Sequence, residues 1–129
     1  MSMTYTLDHQ HRIVRSRGWG VLHISEIEEF YSRLAADPAF DPTYRSLGDL
    51  REVTEIAVTS NELAASAALP VFEHGARRAI VASRDAVYGM LRAFATFNER
   101  IGATVRIFRD IDLAEAWLDG GDDRLWRTP

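Results

Sequence analysis

Residues 76–110, ARRAIVASRDAVYGMLRAFATFNERIGATVRIFRD, leave the chain few architectures to choose from. Arg78-Ala79-Ile80-Val81-Ala82 is short and apolar. Ser83 and Asp85 supply helix-starting side chains, and Gly102 closes the helix before a second β-type run, Thr104-Val105-Arg106-Ile107-Phe108. A helix of about five turns between two such runs is a crossover long enough to join a parallel pair. The stretch therefore predicts an α/β fold: a single-layer, mixed and mainly parallel sheet with helices packed on it.

The helix itself carries a burial pattern. At about 100° per residue, Phe97, Met90, Ile101, Phe94, Val87 and Leu91 fall in that order across an arc of roughly 120°, the width of a helix packed on a sheet. Asn98 projects inside this arc near its C-terminal end, and the expectation is an amide left partly exposed or bonded to a nearby carbonyl. Tyr88 lies outside the arc, close to Arg92 and Glu99. There its ring either covers the edge of the core or lines a cleft or a dimer contact.

Upstream, Thr4–Leu7 and Arg12–Arg17 read as two short strands around Asp8-His9-Gln10-His11, an N-terminal antiparallel β-hairpin. His9 and His11 share a face, but with no third ligand at a known spacing a solvated turn is the expected reading. Gly18-Trp19-Gly20 is expected to break the second strand. Ser25 and Glu28 have the spacing of a capping box ahead of the stripe Ile27, Phe30, Tyr31 and Leu34, which predicts a helix to about residue 36. Asp37-Pro38-Ala39-Phe40-Asp41-Pro42 cannot be helical. Tyr44–Leu50 is the next expected strand, with Asp49 near its C-terminal end. Ligands of open α/β sheets bind at that end, so Asp49 is a candidate site residue; otherwise it pairs with an arginine such as Arg51 or caps a loop amide. Thr59 and Glu62 form a second capping box, opening a helix through Leu63, Ala67 and Val71 and leaving Ser60 as a spare hydroxyl at a helix start suited to anions. Asp112 and Glu115 are expected to cap a short last helix that packs through Leu113, Trp117 and Leu118. Residues 1–119 form the single expected domain and residues 120–129 a flexible tail, in which Leu125 and Trp126 either touch a partner or remain disordered.

The composition removes several chemistries. All 15 basic residues are arginine, so Schiff-base and P-loop lysines are excluded. The absence of cysteine removes thiolate chemistry and disulfides. A formal charge of −4 offers no basic field for nucleic acid or an acidic membrane surface. No apolar run approaches membrane length and the start of the chain is polar, so a cytoplasmic protein without membrane insertion is expected. There is no nucleophile elbow and no glycine-rich phosphate loop. No enzyme, metal or cofactor is expected.

The order β-β-α-β-α-β-α-β-α, with Asp49-Leu50-Arg51-Glu52-Val53-Thr54 after the third strand and a hydroxyl-bearing helix start beyond it, resembles STAS/SpoIIAA-like domains across nearly the whole chain. Val87-Tyr88-Gly89-Met90, Phe108-Arg109-Asp110 and Ala116-Trp117-Leu118 make it most similar to small stand-alone bacterial members of that group. Anti-sigma-factor antagonists of this fold carry Asp-Ser-Ser-Gly-Leu at the start of the second helix, where a kinase phosphorylates a serine and breaks partner binding. The corresponding residues here are Ala57-Val58-Thr59-Ser60-Asn61-Glu62-Leu63, without the aspartate or the glycine, so the resemblance makes Thr59 and Ser60 candidates by position. It implies a non-enzymatic interaction or regulatory module that binds a protein partner or a second copy of itself as a homodimer. The alternative is a small apolar ligand or lipid, held in a cleft beside Tyr88 and the strand ends near Asp49. Asp49, Arg51, Tyr88 and Arg92 are the candidate ligand or partner surface.

Overall fold

A computed structural model describes residues 2–123. The elements run β1 (Met3–Asp8), β2 (Ile13–His23), α1 (Ile24–Ala36), β3 (Arg45–Ala57), α2 (Ser60–Ala67), β4 (Arg78–Val81), α3 (Asp85–Arg100), β5 (Val105–Phe108) and α4 (Ile111–Leu118). The two strands that flank α3 lie side by side and parallel, in register from Arg78 with Val105 to Val81 with Phe108. The five strands form one sheet in sequence order. Only the β1–β2 pair is antiparallel, the expected N-terminal hairpin.

Helices cover both faces of the sheet. On one face α1, α2 and α3 bury Val14, Leu22, Leu50, Val53, Ile56, Val105 and Ile107. On the other, α4 packs through Ala114, Trp117 and Leu118 onto Ile13, Leu47, Ala79, Val81 and Phe108. Alternation along β4 explains the division: Ala79 and Val81 point to α4, while Ile80 and the flanking Arg78 and Ala82 point to α3. Because α4 rests mainly on β3, β4 and β5 and meets β2 at Ile13 and Arg15, the rest of the β1–β2 part of this face carries no helix among the described residues.

Two strands run further than their sequence suggests. β2 passes straight through Gly18-Trp19-Gly20, and β3 continues seven residues past Leu50, to Ala57. The pairing shifts between Arg17 and Trp19 and again between Gly20 and Val21, each time with an extra residue in β3. Gly20 takes φ 68°, a conformation open to glycine without strain. Each extra residue inverts the alternation of β3. Leu50, Val53 and Ile56, three apart, therefore all face the helices and join Leu63 and Ala67 of α2 in one core cluster. Asp49 is consequently mid-strand rather than near the end, although its partner Val81 is the last residue of β4.

The helix ends show further departures. Thr59 and Glu62 do form the capping box of α2, at 3.1 and 2.8 Å, but α2 stops at Ala67, ahead of Pro70 and short of Val71. At α1 the Ser25–Glu28 box is absent: the helix already starts at Ile24, with His23 at the cap position. Glu26 in its first turn is held below the usual carboxylate range, chiefly by the Ser2 side chain. At α4 the cap is Asp110, accepting from the amides of Asp112 and Leu113, while Glu115 instead reaches Arg15 at 3.0 Å. The buried stripe of α3 is Val87, Leu91, Phe94 and Asn98. Met90 and Phe97 are half-buried and Ile101 is exposed, so the helix is rolled to bring Asn98 inward.

Beyond α4, Asp123 accepts from Trp117 Nε1 at 3.0 Å and from Arg106 Nε at 3.1 Å, and Gly121 O accepts from Arg77. Leu125 and Trp126 lie outside the described residues. Trp117 is fully buried against Phe108, under the Arg77 guanidinium. Trp117→Ala is expected to cost about 3–5 kcal/mol, against about 1 kcal/mol for loss of the α2 cap in Thr59→Ala. Urea unfolding of both variants measures this, and near-equal losses would contradict the role of α4 as anchor of its face.

Candidate functional site

At the centre of the sheet, the face under α1 and α3 is built from small residues and one charge. In neighbouring rows across β2, β3 and β4 stand Val14, Ser46 and Arg78, then Ser16, Gly48 and Ile80. Above them α1 packs on β1 and β2, whereas α3 packs on β3 and β5, and α2 touches both helices. The small residues lower the floor between the two helices, leaving a cleft of about 70 Å³. Its walls are apolar: Phe30 and Tyr31 of α1, Leu63 of α2, Leu91 and Phe94 of α3, and Phe72 from the loop before β4.

Arg78 is the charged residue in this lining, and it is only 9% exposed. Its Nη2 donates to Tyr31 Oη at 2.8 Å, and its Nη1 makes a long contact, 3.4 Å, with Asn98 Oδ1. The guanidinium lies 4.5 Å from the Phe72 ring centroid. Asn98 is fully buried and donates through Nδ2 to the Phe94 carbonyl. Arg78 thus reaches from β4 to α1 and to α3, on the side to which α3 turns Asn98. Its partners among the described residues are neutral. Arg15, Arg17, Arg51 and Arg109, by contrast, each meet a carboxylate at 3.0 Å or less. A buried cation without an anion is costly unless its donors are satisfied, so this one sets the character of the cleft.

The surface residues singled out from the sequence fall into separate places. Asp49 and Arg51 pair at 2.7 and 2.9 Å on the α4 face, beside Ile111 and a groove bordered by Thr4, Thr6, Arg15 and Arg17. Arg51 holds the Asp49 carboxyl below the usual range, outweighing its partial burial. Tyr88 and Arg92 are together on α3, across the sheet from that pair. Arg92 Nη1 donates to Tyr88 Oη at 3.1 Å, and Arg109, itself paired with Asp85, stacks 4.2 Å from the Tyr88 ring centroid. The apolar cleft is beside Tyr31, not Tyr88. The Thr59 hydroxyl is committed to its cap, and Ser60 is exposed in the first turn of α2. His9 Nδ1 lies 2.6 Å from Tyr44 Oη and His11 Nδ1 2.9 Å from Asp8 Oδ2, so the two rings take different partners. Among the described residues no three His, Asp or Glu side chains gather in a way that could hold a metal, and no helix is long and apolar enough to cross a membrane.

Sequence reasoning missed Arg78, Tyr31 and the small floor residues. A signal was present: Arg78 heads an otherwise apolar strand in a parallel sheet covered on both faces, where its side chain has to enter a helix layer.

Neither a protein-family model nor a curated protein matches the chain. Among solved structures, an uncharacterised DUF3478-family protein with a SpoIIAA-like fold from Shewanella loihica PV-4 superposes with a TM-score of 0.57. The alignment covers 91% of this chain and 94% of that one, at 16% identity. The fold is SpoIIAA-like. At that identity the likeness concerns the fold alone. In this SpoIIAA-like sheet the cleft lies under α1 and α3, and the Asp49–Arg51 pair on the opposite face.

The Asp49 pairing gives a pH dependence. Its depressed folded-state pKa means a contribution present above the ordinary aspartate range and lost as pH falls through the lowered value. Both groups are partly exposed, so Asp49→Asn is expected to cost no more than about 0.5 kcal/mol at pH 7. The gap from the unaltered protein should close under acid conditions, and urea titrations at neutral and acid pH would read it; an unchanged gap in acid contradicts the assignment.

Proposed function

We propose that this chain is a non-enzymatic binding module whose ligand is a small, largely apolar molecule held between α1 and α3. The observation that carries this reading is the under-filled centre of the sheet. Protein interiors are close-packed, and an empty volume of this size forfeits up to about 2 kcal/mol by the usual penalty per Å³. Ser16, Ser46 and Gly48 are small at the positions where a larger side chain would recover that stability. A cavity of about 150 Å³ admits benzene. The present cleft, about half that, suits a shorter chain unless α1 and α3 part.

Filling the floor tests the reading. An added Cβ at Gly48 would sit 3.3 Å from Ser16 Oγ and 3.8 Å from Ile80, close enough to occupy the cleft. In heteronuclear NMR titrations, 1-pentanol is expected to shift the amides of Tyr31, Ser46, Gly48 and Phe94 as a group. Gly48→Ala should weaken that binding about tenfold while keeping the fold. Shifts scattered over the surface, or indifference to Gly48→Ala, would count against the cleft.

A protein partner or a second copy of this chain is the other reading, favoured by the polar half-face that α4 leaves open. Thr4, Thr6, Arg15 and Arg17 line a groove there together with Asp49. The exposed Ser60 belongs to this reading as an anti-sigma-factor-antagonist-type phosphoacceptor without the usual motif. It requires a dimer in sedimentation equilibrium that Thr6→Glu splits, or a partner whose binding Ser60→Asp alters.

A further inference from the structure

Resting on the cleft reading, we propose that the ligand is a short monocarboxylic acid, its carboxylate taken by Arg78 and Tyr31 and its tail laid over Ser46 and Gly48. Arg78 presents five N–H donors, of which two meet the neutral oxygens of Tyr31 and Asn98. Three donors remain on a guanidinium that is nine-tenths buried and borders the cleft. Its planar fork matches a carboxylate in a two-point, charge-assisted contact. Among the described residues no carboxylate borders the cleft to compete, and the lining carries a single positive charge. That balance suits one negative charge better than the near-double charge of a phosphate monoester. Phe72 covers one face of the guanidinium, which leaves its edge for the ligand. The cleft volume limits the tail to about three to four carbons.

The experiment is a paired titration of the full chain with pentanoate and 1-pentanol at pH 7, read by NMR shifts at Tyr31, Gly48 and Phe94. Pentanoate is expected to bind at least about tenfold more tightly, in line with the added strength of a charge-assisted contact. Arg78→Gln should abolish this preference, read as the ratio of the two affinities within the same variant, and Tyr31→Phe should reduce it by about threefold. Equal affinities in the unaltered protein would overturn the carboxylate assignment while leaving the apolar cleft standing. Failure of both compounds to bind would remove both. A preference that survives Arg78→Gln would overturn the role of Arg78. Should Arg78→Gln fail to fold by circular dichroism, Tyr31→Phe and the unaltered protein still decide, because a preference indifferent to the Tyr31 hydroxyl contradicts the proposal.

Discussion

A cation at the head of a central parallel strand has nowhere to go but into a layer of helices. β4 is covered on both sides, by α4 through Ala79 and Val81 and by α3 through Ile80. Arg78 must therefore lie between sheet and helix, and its surroundings are arranged to receive it. Tyr31 comes from α1, Asn98 from α3, and the Phe72 ring supplies a stacking surface from the preceding loop. Polar groups buried in this way restrict the alternatives open to a core, because any other packing leaves them unsatisfied. α3 is turned so that Asn98 points in and Ile101 out, which sets the amide beside Arg78 along with the buried Val87, Leu91 and Phe94.

The remaining parts divide the work of closing the sheet. α4 seals one face around Trp117, whose indole nitrogen is held by Asp123. The long β2–β3 ribbon reaches past the end of β4 and shares its apolar core with Leu63 and Ala67 of α2. α2 in turn touches both α1 and α3 and so fixes how far apart they stand. The cleft is the residue of these separate demands: three small residues below, two helices above and one charge beside them.

Much of this architecture could be read from the residues. The β4–α3–β5 crossover was legible because its periodicity switches cleanly from strand to helix and back, and the capping box at Thr59 because its two partners are local. The length of β3 was not, since Leu50, Val53 and Ile56 recur every three residues, a spacing that matches neither strand nor helix until the register shifts are known. Ser25 failed as a cap because the chain enters α1 directly from β2, with no turn between them. The expected meeting of Asp49 with Tyr88 also failed: alternation along β3 turns Asp49 to the α4 face, whereas Tyr88 stands on α3, which covers the other. Asn98 stands out in the sequence as a polar residue inside an apolar arc, while its partner Arg78, 20 residues earlier, reads locally as no more than the first residue of a strand. Long-range pairing of two polar residues leaves no local trace, and that is why the centre of the site was the least legible part.

The double slip of β3 against β2 has a further consequence. Between Leu50 and Ile56 the outward side chains, Arg51, Glu52, Thr54 and Glu55, meet solvent and are open to exchange for many others. The number of residues in that interval is not open in the same way. Losing or gaining one would turn Val53 or Ile56 out into water and set a carboxylate against α2, so this segment tolerates drift in spelling but not in length.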